Sequence, residues 1–114
     1  ANYPIYIGYD VSETAIKMCQ NKFKKRKNWS FIPYNSNFDA LDQVELSLSL
    51  DVIYHLVEDD VFQSYMENLF KASSKYIIIY SNNTDKNSII HSPHILHRKF
   101  TDWVEKKEYY FQYL

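Results

Sequence analysis

The stretch Tyr6–Phe23, YIGYDVSETAIKMCQNKF, decides the fold. Apolar strand formers run from Tyr3 to Tyr9 and stop at Asp10. Ser12 is then a good helix N-cap, and Ala15, Ile16, Cys19 and Phe23 recur at three- and four-residue spacing. A strand that ends at an acid and passes at once into a helix is the first half of an α/β unit. It raises the question of what Asp10 binds at the strand end.

The rest of the chain continues the alternation. Trp29–Tyr34 (WSFIPY) predicts a second strand, with Pro33 near its end because proline removes a ladder donor. A polar loop, NSNFDALDQ, leads to Val44–Leu50 (VELSLSL), a strand with one small, polar face that breaks at Asp51. The following segment, VEDDVFQSYMENLFKAS, opens with carboxylates suited to a helix start, and Asp60 with Gln63 has the pattern of a capping box. Phe62, Tyr65, Met66, Leu69 and Phe70 form its apolar stripe. Lys75–Ser81 (KYIIIYS) predicts a strand covered on both faces. A last helix is expected to bring Leu96, Phe100, Trp103 and Val104 to one face, and EYYFQYL at the end of the sequence predicts a final strand.

With 114 residues, 46% hydrophobic and 18% aromatic, the chain suits a single globular domain over 1–114. Its 13 basic and 14 acidic residues nearly cancel, and the basic run Lys22–Lys27 falls where a helix end favours cations. Nothing else points to nucleic acid or a membrane surface, and no apolar run is long enough to span a bilayer. A lone Cys19 on the apolar side of the first helix cannot form an internal disulfide, so it is expected to be buried, in a cytoplasmic protein. There is one glycine, Gly8, and hence no material for a glycine-rich phosphate loop.

Strand–helix alternation implies right-handed crossovers and a Rossmann-like, mainly parallel sheet with flanking helices. Ligands of such sheets sit beyond the carboxyl ends of the strands, where Asp10, the NSNFDA loop, Asp51 and the Ser81–Asn83 turn are expected to converge. Here YIGYDVSETAI resembles the second-strand motif of class I S-adenosylmethionine-dependent methyltransferases. VELSLSLDVIYHLVEDDVFQSYMENLF resembles their fourth strand and next helix, and KYIIIYSNN their fifth strand. The resemblance implies that Asp10 binds the ribose hydroxyls of S-adenosylmethionine with Val11 against the adenine. It also implies that Asn37, Phe38 and Asp39 edge the adenine, and that Leu50 and Asp51 line the methionine end. Methyl transfer from the sulfonium to a small-molecule or glycan-type acceptor is the implied activity, with a protein acceptor left open.

One part of that family's pattern does not occur here. Its first strand, which lies between the second and fourth, and its glycine-rich turn have no counterpart, so the sheet is expected to be incomplete and cofactor binding by this chain alone weak. The chain reads as a piece of a longer domain, as half of an assembly in which a dimer or another chain donates the strand, or as a non-catalytic remnant. A nucleotide-binding protein of another α/β type is a further alternative.

Other residues stay open between chemistry and structure. Asp10 could cap the first helix with Ser12, and Asp51 could simply start a turn. His55, among apolar residues, suits a core histidine or a base for deprotonating an acceptor. His91, His94 and His97 are spaced by three, but Pro93 interrupts them and no metal site is expected. His94, His97 and Arg98 are candidates for acceptor contact, Arg98 through a carboxylate or phosphate.

Overall fold

The computed structural model describes residues 4–35, 43–87 and 92–113, which fall into two compact units, residues 1–38 and 39–114. Each holds a two-stranded parallel sheet, and each pair of strands is joined through a helix. The chain is thus an α/β fold with flanking helices, and its sheet is divided in two where a single sheet was expected.

In the first unit, β1 (Tyr6–Asp10) leads into α1 (Glu13–Lys22) and then β2 (Trp29–Pro33). The Ser12 hydroxyl accepts from the Ala15 N–H at 3.2 Å, so the sequence-predicted N-cap is the actual one. β1 starts three residues later than expected and includes Asp10. Tyr6 pairs with Trp29, Gly8 with Phe31 and Asp10 with Pro33. The Tyr34 N–H donates to the Asp10 carbonyl, and alternation then turns the N-side of Pro33 away from β1, where its missing donor costs nothing.

The rings of Tyr6, Trp29, Phe31 and Phe23 pack on one face, with Phe23 and Phe31 stacked at 5.7 Å. This is why the only glycine stands at position 8. A Cβ there would lie 2.9 Å from Phe31 Cδ1 and 3.2 Å from Tyr6 Cε1. The basic run also has structural uses, since Lys22 lies 5.4 Å from the Phe23 ring centre and Arg26 5.3 Å from that of Trp29. Cys19 is half-buried rather than buried, because Ile16 alone takes the fully covered position on α1.

The second unit runs β3 (Val44–Leu50), a 3₁₀ turn (Ile53–His55), α2 (Asp59–Lys71), β4 (Ser73–Tyr80) and α3 (Phe100–Lys106). α2 packs on the face of β3 and β4 that carries Ser47, Ser49, Ile77 and Ile79, and the Tyr65 hydroxyl bonds Ser49 Oγ at 2.7 Å. Small serines under the helix let its broad stripe of Phe62, Met66 and Leu69 come close to the sheet. Ile53, Phe62, Met66, Trp103 and Val104 make the core. Among the described residues no helix is long and apolar enough to cross a membrane.

Four expectations are corrected. β4 is covered on one face only, and Tyr76, Ile78 and Tyr80 are exposed. The capping box does not form: Glu58 is the N-cap of α2, and Gln63 Oε1 accepts instead from Trp103 Nε1 at 2.7 Å. The last helix starts at Phe100, so Leu96 precedes it. The Asn87 side chain bonds both the N–H and the carbonyl of His97, occupying groups a helix would need.

The expected final strand is also absent among the described residues 109–113. The Glu108 N–H donates to the Glu105 carbonyl, the Tyr109 N–H donates to Val104, and Glu108 takes φ +62°. This is the Schellman closure of a helix, here with glutamate where glycine usually stands. It turns Tyr109 back to stack on Phe70 at 4.7 Å, which ends any extension toward the sheet.

Two stability outcomes follow, both read by urea unfolding. Gly8→Val is expected to cost about 1–3 kcal/mol by displacing Phe31, whereas Ile7→Val on the exposed face costs under about 0.5 kcal/mol. Glu108→Gly is expected to stabilise by about 0.5–1 kcal/mol, since glycine adopts the left-handed backbone without a Cβ clash. A loss of stability on that change would show that the glutamate side chain outweighs the backbone strain.

Candidate functional site

At the carboxyl end of β3 the chain leaves the sheet sharply. Asp51 adopts φ +57°, a conformation that aspartate tolerates better than most residues, and its N–H donates to the Tyr80 carbonyl at 2.8 Å. The 3₁₀ turn that follows drives Ile53 fully into the core and leaves Tyr54 half-buried and His55 exposed. His55 is therefore not a core histidine. Of the apolar residues around it in sequence only Ile53 is drawn fully inward, and the tight turn points the imidazole the other way.

The segment before α3 is stitched onto this turn. The Leu96 N–H donates to the Tyr54 carbonyl at 2.9 Å. The Asn82 amide lies 3.2 Å from His97 Nδ1, and donation there leaves the proton of a neutral imidazole on Nε2. The Tyr54 ring is 4.3 Å from that of His55 and 6.1 Å from that of His97. Asn83 accepts from the N–H and hydroxyl of Thr101 and donates to the same hydroxyl at 3.0 Å, which fixes the first turn of α3 beside the end of β4.

Arg98 holds the loop between the 3₁₀ turn and α2. Its guanidinium donates to the Leu56 and Val57 carbonyls and to Asp59 Oδ1, and lies 4.5 Å from the Phe62 ring centre. The Arg98 side chain is 13% exposed and that of Asp59 93% exposed. Its donors are thus directed to backbone carbonyls and the helix start, and its fork organises the loop.

That loop forms one wall of an open cavity of about 420 Å³. His55, Glu58 and His94 bring two imidazoles and a carboxylate to the lining, and Val57, Val61 and Pro93 supply an apolar wall. The volume suits a small organic molecule. His55 and His94 are brought to one cavity, whereas His97 is tied to Asn82 and Arg98 to the loop. Leu50 and Asp51 are exposed at the end of β3, where Leu50 pairs with Tyr80. Among the described residues no three His, Cys, Asp or Glu side chains form a group that could hold a metal ion.

In the first unit, Asp10 ends β1 with its carboxylate exposed. Oδ1 accepts from the Ser12 N–H at 2.8 Å, and Oδ2 has no partner among the described residues. One oxygen therefore shapes the turn into α1 while the other is available to a ligand hydroxyl. Val11 beside it is exposed, and partial burial pushes the Tyr9 phenol above its ordinary pKa. Asn37, Phe38, Asp39 and His91 lie outside the described residues.

Sequence reasoning missed Tyr54, Glu58 and Asn87. Of these only Asn87 carried a usable signal, since Asn in a polar loop favours side-chain turn bonds, here to the Asp85 carbonyl. The fold and these sites define a small α/β domain of alternating helices and parallel strands. Comparison with protein-family descriptions and with curated proteins finds no match to the chain.

The part played by Arg98 separates two kinds of contact. Arg98→Met is expected to cost about 2–3 kcal/mol, because the backbone carbonyls lose a charged donor. Asp59→Ala should cost under about 1 kcal/mol, since the ion pair is solvated on the carboxylate side. Equal losses in thermal unfolding would move the weight of the interaction to the ion pair.

Proposed function

We propose that this chain is part of a methyltransferase domain that uses S-adenosylmethionine and acts on a small-molecule or glycan-type acceptor. The observation that carries the reading is Asp10. It stands at the carboxyl end of a parallel strand that turns directly into a helix, with Oδ1 committed to the turn and Oδ2 without a protein partner among the described residues. A carboxylate so placed suits the adjacent hydroxyls of a ribose.

In this reading Asp10 and Val11, both in the first unit, take the adenosine part of the cofactor. The fit to the cofactor is partial. An acid at a strand end supports the reading, but Phe31 fills the space beside Gly8, the sequence's one glycine, so this chain has no glycine turn to offer the methionine moiety. The cofactor supplies an activated methyl on its sulfonium. The protein's part is to hold acceptor and methyl in line and to manage a proton. In the second unit His55 and His94 are the groups suited to that proton, and the cavity they line has the size of a small acceptor.

The test is a titration of the ¹⁵N-labelled chain with S-adenosylhomocysteine into the millimolar range, where weak binding is visible. The amide resonances of Asp10, Val11 and Ser12 are expected to shift, and Asp10→Ala to weaken the binding at least tenfold. Unmoved resonances in the folded chain, or equal binding by the variant, reject the reading.

A further inference from the structure

The cavity of about 420 Å³ beside the 3₁₀ turn carries charge of one sign. Glu58 is the one carboxylate in its lining, and among the described residues neither lysine nor arginine joins it there. The cations of this unit are directed elsewhere. Arg98 commits its guanidinium to the Leu56 and Val57 carbonyls and to Asp59, and with Lys99 and Lys106 it lines a separate open cavity along α2 and α3.

Glu58 also makes none of the bonds that its position offers. It is the N-cap of α2, where a side-chain oxygen ordinarily accepts a backbone N–H of the first turn, and here its side chain accepts none. Its neighbour Asp59 pairs with Arg98, whereas the Glu58 carboxylate has no hydrogen bond or ion pair among the described residues. His55 bonds only through its backbone N–H, to Val52, and His94 only through its own, to Ser92. Both imidazoles therefore keep their ring nitrogens open among the described residues. The cavity thus gathers acceptors that the protein does not use: a carboxylate, and an accepting nitrogen on each neutral imidazole. An anion finds no cation in this lining, and a hydroxyl brings one donor and no charge. An ammonium group brings a positive charge and several N–H donors with no acceptor.

We propose that this cavity takes a small organic amine as its ammonium ion. Glu58 is the counter-ion, the imidazoles of His55 and His94 are further acceptors, and the hydrocarbon body of the ligand lies against Val57, Val61 and Pro93. The proposal rests on the reading of this cavity as the acceptor site and narrows that acceptor to an amine. The carboxylate supplies the selectivity, because a hydrogen bond between two charged groups is roughly twice as strong as one between neutral groups.

The probe is cyclohexylmethylamine, titrated into the ¹⁵N-labelled chain at neutral pH and low salt, with cyclohexylmethanol as its uncharged counterpart of the same shape. The amide resonances of Val57, Glu58, Val61 and His94 are expected to shift, and the amine to bind more tightly than the alcohol by about fivefold or more. Glu58→Gln is expected to bring the amine down to the level of the alcohol and to leave the alcohol unchanged. Asp60→Asn, which removes a neighbouring charge outside the lining, is expected to alter amine binding by less than about twofold. No binding of the amine, equal binding of amine and alcohol, shifts confined to other residues, or equal losses in the two variants overturns the proposal. The comparison of the two ligands uses the unaltered chain, so it decides the matter even if a variant fails to fold. No cofactor is present in this titration. Binding of the amine without binding of S-adenosylhomocysteine keeps the amine site and rejects methyl transfer, and the reverse result overturns the amine site alone.

Discussion

The second unit depends on the burial of Ile53. The chain leaves β3 through a left-handed Asp51 and at once inserts Ile53 against Met66, both with no exposed surface. Burying a side chain of this size contributes roughly 2–3 kcal/mol, enough to select one path for a short turn. With Ile53 fixed, His55 must face outward, and the carbonyls of Leu56 and Val57 come within reach of Arg98. The position of α3 then follows from the same core, through Trp103 and Val104.

Polar groups do the finer positioning in both units. Arg98, Asn82, Asn83 and Asn87 bind the segment before α3 to the ends of the strands, mostly through bonds to the backbone. These are long-range bonds between elements that local propensity does not connect. In the first unit the equivalent work is local: Asp10 and Ser12 set the start of α1 within the stretch from Asp10 to Ala15, and four aromatic rings hold the sheet face. Gly8 is the one place where an absent side chain is the structural requirement.

Strands and helices with a strong period were legible in the sequence. Val44–Leu50 has its expected bounds, α1 has its expected cap, and the stripe of α2 is the core. What was not legible depended on partners distant in the chain. Gln63 has the right spacing for a capping box, but Trp103 takes its amide oxygen. EYYFQYL has strand composition, but Tyr109 finds Phe70 and the chain turns back. His55 sits among apolar neighbours, yet only Ile53 among them is drawn fully inward, and the geometry of a 3₁₀ turn points the histidine out. Arg98 looked like an acceptor contact because nothing in its neighbourhood announced the carbonyls 41 and 42 residues away.

The sequence by itself determined the alternation of parallel strands and helices, the acid at the end of β1 and the single site for glycine, because periodicity, capping and backbone freedom act over a few residues. The tertiary structure alone decided which strands pair, which edge and face of β3 stay open, and which histidines meet at one cavity. Those outcomes depend on packing and hydrogen bonds between segments tens of residues apart, and local preference carries no record of them.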